Sequence, residues 1–267
     1  MFREIIINPG RDKNNQQEPY EKICIPCSST VSIVGPTGSG KTSFINDIEL
    51  IAKGDTDTER KIEFILNSGE VFVSSNLTKD KPVVLITQNT KCISDLIVSE
   101  FISIHARSRG NINKDIVEQC LNLANQFTGE KIERDYHITS LSGGQTRSLL
   151  IADAILISDS PILILDEIEN AGINKALIMD LIKKGKKMVF FVTHDPVVAL
   201  NTDVRIIMKN GAIQKLLTKT ETEKILHEKL KKIDNYYSEL REKIRNGLSI
   251  SSDLPYEKIL SGEECQV

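Results

Sequence analysis

Val31-Ser32-Ile33-Val34-Gly35-Pro36-Thr37-Gly38-Ser39-Gly40-Lys41-Thr42 is the stretch whose reading decides the fold. Val31 to Val34 is a compact apolar run that ends in glycine, as a buried strand does. Gly35 to Thr42 matches G-x-x-x-x-G-K-[ST] in full, and Thr42 to Ala52 carries apolar residues at helical spacing. Strand, glycine loop and helix in that order are the context a phosphate loop requires. Its glycines let backbone N–H groups turn inward onto phosphate oxygens, in a nucleotide-binding loop of Gly35, Pro36, Thr37, Gly38, Ser39, Gly40, Lys41, Thr42 and Ser43 in which only Pro36 has no N–H to give. Lys41 sets its charge between the β- and γ-phosphates, and Thr42 offers its hydroxyl to magnesium. By itself the motif fits a nucleoside triphosphatase, a kinase or a GTPase equally.

Further along, Ile162-Leu163-Ile164-Leu165 buries a strand and delivers Asp166 and Glu167 at its carboxyl end. Ligands of open α/β sheets bind at that end. Asp166 is placed for magnesium and Glu167 for the attacking water, whose proton it can accept. Met188 to Val192 is another short, continuous apolar run, and His194 follows it within reach of a γ-phosphate. Gln88 stands in the same kind of place after the predicted strand Val83 to Thr87. His105, His137 and His227 lack such a setting and read as structural.

Leu141-Ser142-Gly143-Gly144-Gln145 precedes a helix and makes a second anion site from backbone N–H groups. The local phosphates already have a complete cradle, so this site is best used on a nucleotide held by another subunit. Taken together, the phosphate loop, Gln88, residues 141–145, Asp166 with Glu167, and His194 resemble the ATP-binding cassette ATPases, in order and spacing, over about residues 20 to 215. The resemblance implies an α/β, P-loop NTPase, RecA-like core with an antiparallel β part and a helical subdomain that carries the signature. It implies ATP and Mg2+ as cofactors, with Thr42, Gln88 and Asp166 at the metal and Glu167, His194 and Gln88 in catalysis. Two copies would then sandwich two ATP molecules head to tail, each site completed by Ser142, Gly143, Gly144 and Gln145 of the other copy. Val98-Ser99-Glu100 also looks like the family's transition into the helical subdomain.

Two stretches depart from the family pattern. Ile168-Glu169-Asn170-Ala171-Gly172-Ile173-Asn174 replaces the usual aspartate-bearing loop after the glutamate, and Arg147 comes slightly early in the signature helix. The family's adenine-stacking aromatic has Tyr20 as its candidate, with an ordinary loop residue as the alternative.

The 267 residues allow one large domain with appendages. The reading divides them into a cassette domain at 1–215, with its helical part at about 94–158, and a C-terminal helical extension at 216–267. Before the phosphate loop, Glu4 to Asn8 reads as a strand and residues 11–21 as a polar loop. Lys61 to Leu66 and Val71 to Val73 read as strands around Asn67-Ser68-Gly69, and Arg205 to Met208 with Asn210-Gly211 as a closing hairpin. In the extension, Leu226, Leu230, Ile233, Tyr237, Leu240 and Ile244 repeat at 4-3-4-3-4. That seam suits either a helix lying on its own domain or a self-association helix.

A formal net charge of −3 gives no electrostatic footprint for nucleic acid, and none is expected as a partner. Lys183, Lys184, Lys186 and Lys187 read as a solvated helix end. The five cysteines are scattered, and Cys24-Ile25-Pro26-Cys27 reads as a strand cysteine followed by a turn cysteine. No apolar run approaches the ~20 residues of a membrane span, and the first residues lack a signal-peptide layout. The expectation is a cytoplasmic ATP hydrolase, peripheral at the inner face of a membrane if a partner holds it there. Its role is that of a transporter's nucleotide-binding subunit with a membrane permease as partner. The alternative is a soluble ATPase for assembly, metallocentre activation or remodelling of a protein client.

Overall fold

The computed structural model describes residues 2–73, 81–167, 175–184 and 187–249. Its strands are β1 (Phe2–Asn8), β2 (Ile23–Pro26), β3 (Thr30–Val34), β4 (Lys61–Leu66), β5 (Val83–Ile86), β6 (Ile162–Asp166), β7 (Met188–Val192), β8 (Val204–Lys209) and β9 (Ala212–Thr218). Its helices are α1 (Lys41–Leu50), α2 (Val98–Ser108), α3 (Ile116–Phe127), α4 (Gly143–Leu156), α5 (Lys175–Lys184), α6 (Pro196–Asn201) and α7 (Glu221–Arg245), with a 3-10 turn at Ile138–Ser140.

Among the described residues the strands form two sheets. One runs β5-β6-β7-β3-β8-β9, parallel from β5 to β8 and closed by the antiparallel β8–β9 hairpin. The other is antiparallel, in the order β2-β1-β4. The parallel strands are uninterrupted apolar runs because both of their faces are covered. Alternate side chains divide between two cores. Ile162, Ile164, Met188, Phe190 and Val192 pack with α1 and the antiparallel sheet. Leu163, Leu165, Val189 and Phe191 pack with the helical lobe of α2, α3 and α4, and with α5. The α/β class with its antiparallel part and helical lobe is as expected.

Two expectations need correction. Val71 to Val73 is no strand: Val71 makes one bridge to Ile65, and the Phe72 N–H donates to the Phe64 carbonyl at 2.7 Å. Phe72 stacks edge-on against Phe2, while Val71 and Val73 are exposed and gain nothing by extending the ladder. Lys187 is no solvated residue. Burial lowers its ammonium pKa, and Nζ donates to the carbonyls of Ser158 and Ser160 at 2.5 and 2.8 Å. It braces the approach to β6 against β7. Lys186 lies outside the described residues. Along the α7 seam Leu230, Ile233 and Leu240 are half-buried, Leu226, Tyr237 and Ile244 are exposed, and His227, off the heptad positions, is buried.

Strand β9 continues through Thr218, so α7 starts just beyond it. Cys24 is exposed on β2, and Cys27 follows in a turn. No helix among the described residues is long and apolar enough to cross a membrane.

Candidate nucleotide site

Parallel pairing aligns the carboxyl ends of β5, β6, β7 and β3 along one edge of the sheet. Register sets Asp166 beside Val192, and Val192 beside Ile33. Gln88, Asp166 with Glu167, His194 and the phosphate loop therefore emerge side by side, although 106 residues separate Gln88 from His194 in sequence (194 − 88). This edge is where an open α/β sheet receives its ligand.

The loop from β3 to α1 is shaped for an anion. Gly38 and Gly40 take left-handed φ angles of 76° and 97°. A Cβ on Gly40 would lie 2.8 Å from the Cα of Gly211 in the β8–β9 turn, so that turn buttresses the loop. The Gly211 N–H also donates to the Ser39 carbonyl at 2.8 Å. No side chain caps α1, and the N–H groups of Gly40, Lys41, Thr42 and Ser43 have no acceptor among the described residues. Ser39 Oγ is buried without a hydrogen-bond partner. Lys41 is 8% exposed and donates to the carbonyls of Gly35 and Pro36 at 2.9 and 3.2 Å. Unused donors, an orphaned hydroxyl and an ammonium resting on carbonyls fit a polyphosphate.

Across the edge, Glu167 holds a left-handed φ of 51°, rare for a residue with a side chain, while its N–H donates to the Val192 carbonyl at 2.9 Å. A backbone of this kind costs about 1–3 kcal/mol. Glu167 Oε1 lies 3.9 Å from His194 Nε2. Asp195 next to His194 caps α6 through the N–H groups of Val197 and Val198, and also pairs with Lys175, which reaches Asp234 of α7 at 3.5 Å. Leu230, Ile233 and Tyr237 of α7 line one groove with His194 and Val197. Thr42 stands in the first turn of α1 and Asp166 ends β6, and a hydroxyl and a carboxylate are oxygen donors of the kind Mg2+ takes.

Residues 142–145 sit on the helical lobe and make no hydrogen bond to residues 35–43. Ser142 caps α4. Its Oγ accepts from the Gln145 N–H, and Gln145 Oε1 accepts from the Ser142 N–H. Gln145 Nε2 donates to the Lys131 carbonyl. The Gln145 amide thus serves the helix cap through Oε1 and the Lys131 carbonyl through Nε2. Gly143 is exposed, and the N–H groups of Gly143 and Gly144 have no acceptor among the described residues.

Tyr20 is half-buried. Its ring packs on the core beneath the antiparallel sheet, and its hydroxyl donates to Glu18 at 2.8 Å. His105 pairs with Asp153 at 2.7 Å and ties α2 to α4. The loop at 168–174 lies outside the described residues.

Two contacts went unread in the sequence. Arg147, the early arginine, donates to the Gly143 carbonyl at 3.0 Å and to the Gln88 carbonyl at 2.9 Å, so it joins the signature turn to the end of β5. Its misplacement in the motif was the available signal. Lys13 reaches the phosphate loop and donates to the Gly38 carbonyl at 2.7 Å. Nothing in the local pattern of residues 11–21 marks it, because the contact arises only when the β8–β9 turn closes.

A family model described as ABC transporter matches residues 22–170. An uncharacterized ABC transporter ATP-binding protein of Methanocaldococcus jannaschii, MJ0121, is 47% identical over 248 residues, covering 92% of this chain and 94% of its own. The lipoprotein-releasing system ATP-binding protein LolD of Treponema denticola is 28% identical over 197 residues, covering 70% of this chain and 84% of its own. Among solved structures, the ATP-binding cassette MJ0796, a dimer in a post-hydrolysis state with ADP and phosphate, superposes with a TM-score of 0.59 at 22% identity, over 81% of this chain and 99% of its own. CbiO1 of Clostridium perfringens, part of an ABC transporter complex, gives a TM-score of 0.60 at 18% identity, over 91% of this chain and all of its own.

Proposed function

Because this chain belongs to the ATP-binding cassette ATPases, and is accordingly an ATP hydrolase, we propose that it is the nucleotide-binding subunit of a transporter, working as a head-to-tail dimer with ATP clasped between two copies. The Gly143–Gly144 turn carries this reading. Gly143 is exposed and Gly144 half-buried, and their N–H groups have no acceptor among the described residues, while the chain's own phosphate loop already has a full set of donors. A second copy supplies the phosphate that such a turn suits.

In this scheme the amides of residues 35–43 hold the β- and γ-phosphates, and Lys41 leaves the Gly35 and Pro36 carbonyls to pair with them. Thr42, Asp166 and Gln88 would hold Mg2+, which would supply charge neutralisation at the phosphate oxygens. Glu167 takes the proton of the attacking water on its carboxylate. His194, 3.9 Å from Glu167, lies where it can bond the γ-phosphate and register its loss. Ser142 and the two glycines of the opposite copy close the site. Arg147 ties that signature turn to Gln88, so the occupancy of one site reaches the surface that serves the other.

A membrane permease is the partner that the relatives' names support, and it would bring the chain to the inner face of a membrane. The test is Glu167→Gln. The variant is expected to bind ATP–Mg2+, lose turnover and elute as a dimer in size-exclusion chromatography with ATP. A variant that binds ATP and remains monomeric would rule out the sandwich.

A further inference from the structure

We infer that Lys13 is a second cation for the nucleotide's phosphates, acting at the phosphate loop beside its own lysine, Lys41; this rests on the nucleotide site proposed above. The Lys13 ammonium donates to the Gly38 carbonyl at the exposed crest of the loop. Among the described residues that carbonyl is its only hydrogen-bond acceptor, and it pairs with no carboxylate there. Lys41 is held in the same way, on the carbonyls of Gly35 and Pro36. Two un-neutralised ammonium groups resting on carbonyls of one anion-binding loop are a charge arrangement that a polyphosphate would complete.

The position of Lys13 is built into the fold. Its N–H donates to the Asn210 carbonyl at 3.0 Å, and Asn210 Nδ2 donates to Asp12 at 3.2 Å. The other oxygen of Asp12 accepts the N–H groups of Asn14 and Gln16, both at 2.8 Å, which fixes the turn. Gly211 allows the close approach: a Cβ there would stand 3.0 Å from both N and Cγ of Lys13. The same residue holds Ser39, so one hairpin turn positions the phosphate loop and Lys13 together. Residues 9–18 contain no aromatic, and Tyr20 is turned into the core. This rim of the site grips by charge. The flexible four-carbon stem lets the ammonium move from carbonyl to phosphate when nucleotide arrives.

Calorimetry on the full chain with ATP–Mg2+ and with inorganic tripolyphosphate tests the assignment. Lys13→Met is expected to weaken both ligands about tenfold, the scale of one partly solvated charge-assisted contact. The loss should shrink at high salt, and Lys13→Arg should recover most of it. An unchanged melting temperature would certify the fold. Equal affinity of wild type and Lys13→Met for both ligands overturns the inference, as does a loss confined to ATP. Lys41→Ala, run in parallel, separates the two levels. If it binds both ligands like wild type, the nucleotide site itself is misassigned. If it loses them while Lys13→Met does not, only the role of Lys13 fails.

Discussion

Gly40 sits where no other residue fits. Its φ of 97° is left-handed, and an added Cβ would meet the Gly211 backbone at 2.8 Å. Gly40→Ala should therefore destabilise the protein by about 1–3 kcal/mol and push the loop off its buttress. Urea unfolding would read the first effect and ATP calorimetry the second; a variant with unchanged midpoint and affinity would refute the close approach. At this scale the sequence was most legible where a motif specifies backbone chemistry. The glycines, Lys41, Asp166 and Glu167 stand at the sheet edge because strand ends deliver them there. Side chains with two possible employers were not legible. Gln145 belongs to a motif, yet its amide is engaged by Ser142 and Lys131. Tyr20 has the right type for stacking, but Glu18 turns its hydroxyl inward.

Between elements, the strongest tie beneath the site is Arg60, whose side chain is fully buried. It donates to Glu18 at 2.7 and 2.9 Å, to Asp47 of α1 at 3.1 Å and to the Gly211 carbonyl at 2.5 Å, and it covers the Phe44 ring. The N-terminal loop, α1 and the β8–β9 turn thus share one guanidinium. Residues 11–21 read as a featureless polar loop because their anchors lie as far away as residue 213. Burial alone would raise the Glu18 carboxyl pKa. Arg60, with the Gly10 and Ile213 amides, more than offsets that and holds it below its ordinary 4.5. Its folded value is thus depressed, so its contribution is complete above pH 4.5 and is lost as the pH falls below that value, toward and through the folded one. Melting temperature between pH 7 and pH 3 should fall more steeply for wild type than for Glu18→Gln; parallel curves would deny Glu18 this role. Arg60→Met, which strands two buried carboxylates, should cost about 3–5 kcal/mol at neutral pH.

For the molecule as a whole, the C-terminal helix asks how many copies stand together. Its heptad spacing was plain in sequence, but spacing alone does not choose between the chain's own surface and a second chain. His227 is buried, and Leu230 and Ile233 are half-buried beside Val197, so the first half of the helix is partly used at home. Removing residues 220–267 should leave the nucleotide-free oligomeric state unchanged in light scattering and lower the melting temperature; a dimer that becomes a monomer would make α7 a constitutive pairing helix. The α/β class and the helical lobe were readable from apolar runs and their periods. The sharing of β6 and β7 between two cores was not, since a continuous apolar run does not say what covers each side.

That sharing governs how the protein can be taken apart. Ile162 and Leu163 are neighbours in the chain yet belong to opposite interiors, so no cut between the lobes leaves both halves sealed. A gene fragment encoding the helical lobe alone would yield a polypeptide with its greasy side bare, fit for inclusion bodies sooner than for solution. Heating should therefore melt both lobes in a single calorimetric transition.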